Sequence, residues 1–152
     1  MAMLRSLLLL FIVFSIGKAE VKKCPYGWTH FGVRCYKFFS QAVNWVTAER
    51  KCQSLDANLA SVHSKIEHDF LLSLLPSTTQ CWIGTHDAEQ EGEWLWTDGT
   101  PFDFTYWAPG QPDNKKTENC GELTYNYYGD SYDRWNDLPC LTQQGYVCAK
   151  YL

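Results

Sequence analysis

Acidic side chains are concentrated in one stretch of the chain, between Asp87 and Asp137. Carboxylate oxygens are preferred ligands of hard cations such as calcium, which takes about six to eight oxygens from carboxylates, amide carbonyls and water. Because calcium tolerates irregular geometry, loops can supply these oxygens. The clustering makes this part of the sequence the place where a hard cation could find its ligands.

The chain offers little for catalysis. It contains no nucleophile elbow, no H-E-x-x-H pair and no phosphate-binding glycine loop. His86 lies beside Asp87, but adjacent residues on an extended strand point to opposite faces of a sheet. The remaining histidines lie elsewhere in the sequence: His30, His63 and His68. We therefore predict that the protein is not an enzyme.

The N-terminal segment is typical of a secretory signal peptide, which we assign to residues 1–19. Arg5 precedes an apolar run over residues 7–16, and the small residues Gly17 and Ala19 follow. The run is about half the roughly 20 residues needed to cross a bilayer, and no second run of that length follows. We expect a secreted, extracellular protein without a membrane span, formed by one domain over residues 20–152.

The expected mature chain is acidic. Without Arg5 and Lys18 it keeps 11 basic and 17 acidic side chains, a formal charge of −6. Proteins that bind nucleic acid use basic side chains to neutralise phosphates. No nucleic acid partner is therefore expected.

Seven cysteines follow the signal peptide: Cys24, Cys35, Cys52, Cys81, Cys120, Cys140 and Cys148. Because secreted proteins meet an oxidising environment, three disulfides and one odd thiol are expected. Spacing alone does not choose among the pairings. A zinc site is disfavoured, since there is no C-x-x-C motif and the histidines are scattered.

Two stretches in the first half of the chain have helical periodicity. The first stretch begins after Asn44, a candidate N-cap, and residues 56–58 end it. Its residues at helical spacing are Trp45, Ala48, Cys52 and Leu55. In the second, Ser64 and Glu67 can form a capping box, and Pro76 stops the helix. Its expected apolar face contains Ile66, Phe70 and Leu74.

After Pro76 the sequence changes to short strand-like segments separated by turns. The segments include Trp82–Gly84, Trp94–Trp96 and Tyr146–Ala149, and Asp98–Gly99 is one of the turns. Two helices followed by a series of strands predict an α+β domain rather than an alternating parallel fold.

Many short motifs follow one another in an order that resembles the C-type lectin domain family over the whole mature chain. They are Cys24-Pro25, Gly27-Trp28, Cys35-Tyr36, Trp45, Ala48-Glu49, Cys52, Leu59-Ala60-Ser61, Trp82-Ile83-Gly84, Glu91-Gly92, Trp94, Trp96, Asp98-Gly99, Trp107, Gln111-Pro112-Asp113, Glu118, Cys120, Trp135-Asn136-Asp137, Cys140 and Cys148. The chain is similar to secreted fish lectins and to fish type II antifreeze proteins. The resemblance implies a C-type lectin-like fold with two helices, short antiparallel sheets and a long calcium-binding loop region.

The resemblance also implies how the cysteines pair. The expected disulfides are Cys24–Cys35, Cys52–Cys148 and Cys120–Cys140. Cys81 is left without a partner. An odd cysteine in a secreted chain is either buried beside the core or linked to another subunit, which here would give a disulfide-linked homodimer.

The family's principal calcium positions are matched one by one by Gln111, Asp113, Glu118, Asn136 and Asp137. The resemblance therefore implies Ca²⁺ as the cofactor, and Pro112 is expected to follow a cis peptide bond as in relatives. A second, auxiliary calcium site would use Asp87, Glu91, Asn114 and Asn119. The last two are amides where a complete auxiliary site tends to have acids.

In relatives, two adjacent sugar hydroxyls join the calcium shell and contact the ligand side chains, so the same five residues are expected to bind sugar. Glutamine followed two residues later by aspartate resembles the order in galactose binders and predicts galactose or N-acetylgalactosamine as the partner. Many of those proteins place an aromatic residue just after this motif, whereas this chain has residues 114–116, Asn-Lys-Lys. Aromatic side chains that could replace it, or could equally be framework, are Trp107, Tyr125, Tyr127, Tyr128 and Tyr132. Trp135 is expected to pack in the core.

Two other binding functions remain open from the sequence. Antifreeze relatives keep the calcium site and use it for ice binding. In some of them a cysteine at the position of Cys81 pairs with one where this chain has Ala108, which favours the lectin interpretation. A toxin-like subunit that binds a protein partner through the same loops is the third alternative.

Overall fold

The structure is a computed structural model that describes residues 12, 16–113, 117–126 and 133–152. Most of the expected signal peptide, residues 1–11 and 13–15, lies outside the described residues. So do Asn114, Tyr127, Tyr128 and Tyr132. Within the described part of the chain, no helix is long and apolar enough to cross a membrane.

Two helices and eight strands form the described fold. The helices are α1 (Trp45–Gln53) and α2 (Lys65–Leu74). The strands are β1 (Thr29–Phe31), β2 (Arg34–Val43), β3 (Asn58–Leu59), β4 (Thr79–His86), β5 (Leu95–Trp96), β6 (Cys120–Tyr125), β7 (Trp135–Leu138) and β8 (Gln144–Tyr151).

The strands form one mixed sheet in the order β1-β2-β8-β4-β6-β7, with β3 added to β8 and β5 added to β4. All pairs are antiparallel except β4 with β8. This arrangement confirms the predicted α+β class. The central position of β8 joins the C-terminal strand to the N-terminal hairpin and to the strands that carry the candidate site.

The prediction that strands follow the helices was incomplete, because β1 and β2 precede α1. Strand β2 is ten residues long and pairs with β8 from Arg34↔Tyr151 to Val43↔Gln144. Its partner lies more than a hundred residues later in the sequence. A local pattern of apolar residues does not reveal a pairing of that kind.

Both predicted helix starts are confirmed. Asn44 accepts a hydrogen bond from the Thr47 N–H at 2.9 Å, and Ser64 accepts one from the Glu67 N–H at 3.1 Å. The reciprocal half of the capping box differs from the prediction. The Glu67 carboxylate accepts from the backbone N–H of His63 and from Arg34, so it links α2 to β2.

The predicted apolar faces needed correction at two positions. Ile66 is 70% exposed and Leu55 is 38% exposed, although both share helical spacing with buried residues. The residues of α2 that are buried are His68 and Leu71. A polar histidine occupies the inner face because its ring nitrogens have partners there, which residue-type periodicity does not show.

All three predicted disulfides are present: Cys24–Cys35, Cys52–Cys148 and Cys120–Cys140. The Cys81 thiol is free and fully buried on β4, in the core cluster that also contains Ile83 and Leu123. Burial raises the pKa of this thiol far above its ordinary value, and the charge of Glu122 acts in the same direction. The thiol is therefore placed where a second subunit does not reach it unless the sheet opens.

Candidate functional site

The hairpin of β6 and β7 supplies one side of the candidate site. Its register places Gly121 opposite Asp137 and Glu122 opposite Asn136, and the Cys120–Cys140 disulfide closes the same end. Trp135 is fully buried and packs edge-on against Trp96 and Trp107, as the sequence predicted for a core residue. This anchor fixes the backbone from which the next two side chains project.

Three carboxylates converge at the end of the hairpin. Oxygens of Asp113, Glu118 and Asp137 all lie within 4.8 Å of one another. Asp137 is only 1% exposed, whereas Asp113 is exposed and Glu118 is half-buried. The structure therefore brings together three of the five predicted calcium ligands, from two separate segments of the chain.

The loop that carries Gln111 and Asp113 is fastened to β7. The Gln111–Pro112 peptide is cis, as predicted. The Asp113 N–H lies 3.0 Å from the Gln111 side-chain oxygen and 3.2 Å from Asp137 Oδ1, so these contacts place Gln111 beside the carboxylates. Nearer the start of the loop, the Ala108 N–H donates to the Trp135 carbonyl at 2.8 Å.

Asn136 is oriented by a buried carboxylate that the sequence analysis did not single out. Its Nδ2 donates to Glu122 Oε1 at 3.0 Å, which leaves the Asn136 side-chain oxygen as the acceptor. Glu122 is fully buried, and Gln80 also points at Oε1, at 3.4 Å. Burial raises the pKa of Glu122 to about 7. No residue pattern pairs Glu122 with Asn136, because the contact depends on the register of β6 with β7.

The residues predicted for the auxiliary site lie close together where they are described. Asp87 is buried, and its Oδ2 accepts from the Gly92 N–H at 2.8 Å. With the Asn119 amide oriented to satisfy its neighbours, its nitrogen donates to Asp87 Oδ1 and to Glu91 Oε2, both at 3.1 Å. A neutral amide donor thus lies between two carboxylates, where an acid at this position would add a third negative charge.

The described aromatic candidates for sugar stacking are packed into the framework. Trp107 is half-buried and contacts Trp94 and Trp135, with ring centroids 4.8 Å and 5.7 Å away. Tyr125 is half-buried and packs against the core. Both side chains therefore contribute to packing of the framework.

Ser61, His63 and Asp103 form a row of the kind used by hydrolases. His63 Nε2 is 3.1 Å from Ser61 Oγ, and His63 Nδ1 is 2.8 Å from Asp103 Oδ1. Ser61 is 1% exposed, however, and its hydroxyl donates to Asp98 while it accepts from Arg34 at 2.8 Å. Because this hydroxyl is buried and already paired, the row ties loops together and does not form a nucleophile.

The chemistry of the carboxylate cluster fits a hard divalent cation. Two unit negative charges 4.8 Å apart repel by about 1 kcal/mol in water and by about 3 to 4 kcal/mol at a protein surface. A cation relieves that repulsion, and the donor set consists of oxygens without sulfur or imidazole, which suits calcium better than zinc. Asp113, Glu118 and Asp137 would hold the ion, with amide oxygens from Gln111 and Asn136 completing the set.

Comparison with known proteins gives the family. The profile described as the Lectin C-type domain matches residues 41–150. The galactose-specific lectin nattectin of Thalassophryne nattereri is 36% identical over 91% of this chain and 87% of its own length. Ladderlectin of Oncorhynchus mykiss is 45% identical over 78% of this chain and 63% of its own, and a type-2 ice-structuring protein of Hemitripterus americanus is 37% identical over 88% and 78%.

Solved structures show the same relation. A calcium-independent type II antifreeze protein matches with a TM-score of 0.78 and 34% identity, over 85% of this chain and 95% of that one. A Ca²⁺-dependent type II antifreeze protein in its Ca²⁺-free form matches with a TM-score of 0.77 and 35% identity, over 84% and 99%. From its sequence and its fold, this chain belongs to the C-type lectin domain family, whose members are binding proteins rather than enzymes.

Proposed function

We propose that this chain is a secreted, calcium-dependent lectin that binds galactose or N-acetylgalactosamine. The observation that carries the proposal is the convergence of Asp113, Glu118 and Asp137 within 4.8 Å. The proposed ion is held by these carboxylates together with Gln111 and Asn136. When bound, calcium supplies a Lewis-acidic centre to which neighbouring sugar hydroxyls coordinate.

The side chains around the proposed ion select the sugar by hydrogen bonding. Carboxylates only accept, whereas the amides of Gln111 and Asn136 can also donate. Mannose-type members of the family have the carboxylate before the proline and the amide after it, the opposite of Gln111 and Asp113. The summed charge of the two side chains is therefore the same in both types, and only the positions of the hydrogen-bond donor and acceptor differ. A buried polar group left unpaired costs about 1 to 3 kcal/mol, enough to reverse a sugar preference.

The orientation of Asn136 supports this assignment. Because its nitrogen donates to Glu122, its oxygen remains available to the proposed ion. Glu122 acts as a positioning residue that does not itself join the carboxylate cluster. The similarity to nattectin, a galactose-specific lectin by name, supports the choice of sugar.

Sugar-affinity chromatography in calcium tests the proposed preference. We expect the protein to bind galactose resin, to elute with galactose or N-acetylgalactosamine before mannose, and to elute with a chelator. The double variant Gln111→Glu with Asp113→Asn should reverse the order, because it swaps donor and acceptor across Pro112 while keeping the summed charge. A wild-type preference for mannose, or a double variant with unchanged preference, would refute the proposed selectivity.

Ice binding is the second candidate, favoured by the similarity to type II antifreeze proteins of both calcium classes. Thermal hysteresis measured in calcium, with Asp137→Asn as the comparison, separates the two functions. The lectin proposal predicts no hysteresis beyond that of buffer. Hysteresis that disappears in the variant would replace sugar with ice as the ligand of the same site.

We propose that the lectin is not linked into a dimer through Cys81, and the burial of that thiol supports this choice over the disulfide-linked homodimer. Electrophoresis without reducing agent should therefore show monomer. Any bivalent binding of a multivalent glycan would have to come from another surface.

A further inference from the structure

A second concavity lies beside the proposed calcium site, between α2 and the start of β7. Its volume is about 380 Å³. The polar side chains that line it include Lys65, His68, Asp69, Tyr106, Asp133 and Arg134. None of these residues belongs to the calcium or sugar set described above.

The floor of this pocket is rigid and neutral. His68 is fully buried; its Nε2 donates to the Asp133 carbonyl at 2.8 Å and its Nδ1 accepts from Trp135 Nε1 at 3.3 Å. These two partners fix the neutral tautomer. A ligand in the pocket would therefore meet a preorganised surface and not a mobile side chain.

Arg134 is the cation of the pocket that has no carboxylate partner among the residues that the structure describes. Its guanidinium carbon lies 4.2 Å from the centroid of the Tyr106 ring, and it forms no ion pair with any described residue. Lys65 also lies over this ring, at 5.3 Å, but it is paired with Asp69 at 2.6 Å. The guanidinium thus lies over the Tyr106 ring, and among the described residues no carboxylate pairs with its N–H donors, which suit a planar acceptor.

The two acids of the pocket are occupied elsewhere. Asp69 is paired with Lys65, and Asp133 Oδ1 accepts from the Asn126 N–H across the hairpin. The formal charges of Lys65, Asp69, Asp133 and the guanidinium cancel. The pocket therefore has no net formal charge that would attract every anion, and binding depends on the geometry of the paired N–H donors of Arg134.

The pocket and the proposed calcium site lie at two ends of one structural unit. The loop from Tyr106 to Asp113 runs alongside β7: the Trp135 N–H donates to the Tyr106 carbonyl, and the Asp113 N–H lies 3.2 Å from Asp137 Oδ1. Arg134 immediately precedes β7 and lies two residues before the proposed calcium ligand Asn136, a separation of roughly 7 Å along extended chain at about 3.3 Å per residue. A short oligosaccharide can span that separation.

We propose that this pocket binds the anionic group, a carboxylate or a sulfate ester, of an acidic sugar linked to the one at the calcium site, with Arg134 as the contact residue. The proposal rests on the proposed lectin function for the anchoring sugar. Guanidinium forms paired N–H···O bonds with planar or tetrahedral oxyanions, and these are stronger than neutral hydrogen bonds. The ligand class is therefore a glycan that carries negative charge next to galactose.

Nuclear magnetic resonance titration tests the pocket with galactose and with two acidic disaccharides, in which the sugar linked to galactose carries either a sulfate ester or a carboxylate, each ligand with calcium and with a chelator. In the wild type, at least one acidic sugar should shift the Arg134 Nε–H and His68 ring signals in both conditions, while galactose should not. The sulfate and the carboxylate arms identify which oxyanion is recognised. Absence of these shifts for both acidic sugars would overturn the proposal.

Variants separate the pocket from the calcium site. Arg134→Gln should remove the shifts and should abolish an advantage of about tenfold for the acidic sugar in calcium, while binding of galactose itself is unchanged. Arg134→Lys should retain part of this advantage, since the positive charge remains but the paired N–H donors of the guanidinium are lost. Arg50→Gln, on the exposed side of α1, is the matched control and should change nothing.

The two proposals fail in different ways. If the acidic sugars shift the pocket signals but galactose is not bound in calcium, the lectin proposal fails and the pocket remains. If galactose binds in calcium but Arg134→Gln keeps the full advantage of the acidic sugar over galactose, the pocket proposal is refuted and the lectin proposal stands.

Discussion

Asp137 combines deep burial with two neighbouring carboxylates. A buried carboxylate is costly unless hydrogen bonds or an opposite charge compensate it. The Asp113 N–H supplies one contact, at 3.2 Å. A divalent cation at the cluster would compensate the negative charges together, which is the physical reason to place the ion at this residue.

His68 gives a pH-dependent prediction. Burial lowers its pKa below the ordinary value of 6.5, against a smaller opposite effect of its hydrogen bond to the Asp133 carbonyl. Below about pH 6.5 the unfolded chain therefore binds a proton that the folded chain resists, so stability falls as the pH is lowered. The contribution of His68 to the melting temperature should therefore decrease from pH 8 to pH 5, whereas Glu122, with its pKa raised to about 7, acts in the opposite direction over the same range.

The matched variant for this effect is His68→Gln. It keeps a side-chain N–H for the Asp133 carbonyl but does not titrate, so its melting temperature should be lower than that of the wild type at pH 8 and the difference should become smaller towards pH 5. An unchanged pH slope in this variant would show that other groups cause the acid sensitivity.

The family motif in the sequence predicts the proposed ligand set but not the tertiary contacts around it. Gln111, Asp113, Glu118, Asn136 and Asp137 are visible as a motif. The orientation of Asn136 by buried Glu122, and the link of Arg34 to Glu67 at 3.0 Å, depend on strand register and tertiary contact. Neither contact can be inferred from the order of residue types in the sequence.

At the scale of elements, the loop that follows Tyr106 behaves as an added strand on β7. Trp107 forms a parallel bridge with Trp135, and backbone hydrogen bonds flank it on both sides. The loop therefore holds Gln111 and Asp113 next to β7 without being a regular element. Strand-like patterns do not predict such a segment, because its pairing partner is distant and its residues do not alternate.

The caps give an element-scale prediction. Ser64→Ala removes the acceptor of the Glu67 N–H and should lower the free energy of unfolding by about 1 kcal/mol. Ser73→Ala on the same helix is the control, because Ser73 is exposed and bonds only the Phe70 carbonyl within the helix. Its effect should stay within about 0.5 kcal/mol in urea unfolding. Equal losses in both variants would contradict the assigned cap.

At the scale of the whole molecule, the Cys52–Cys148 disulfide ties α1 to the central strand β8. Its cysteines are 96 residues apart, whereas those of Cys24–Cys35 are 11 apart. Loop-closure entropy in the unfolded chain makes the longer bridge worth about 4 to 5 kcal/mol and the shorter one about 3 kcal/mol. The longer bridge also lies in the core, where its loss leaves a cavity.

Pairwise replacement of cysteines by alanine tests this difference. Cys52→Ala with Cys148→Ala should lower the free energy of unfolding more than Cys24→Ala with Cys35→Ala, in guanidinium unfolding with Cys81 left in place. A larger loss from the N-terminal pair would contradict the role given to β8 as the element that joins both ends of the chain.

The overall class and the disulfide pattern could be predicted, because the ordered motifs carry the family resemblance that implies them, whereas cysteine spacing alone left the pairings open. The position of β8 between β2 and β4 could not, since it joins residues 34–43 to residues 144–151. The exposure of Ile66 shows the same limit for a helix. Which helical face is inner depends on what the sheet presents to it.

Calcium titration calorimetry is the most direct test of the central claim, with the wild type compared with Asp137→Asn and Asp56→Asn. Asp137→Asn removes a charge from the carboxylate cluster, while Asp56 is an exposed acid outside it. We predict calcium uptake by the wild type and by Asp56→Asn, each with a calcium-dependent rise in melting temperature, and neither effect in Asp137→Asn. A wild type that takes up no calcium, or an Asp137→Asn variant that binds it as well as the wild type, would contradict the account.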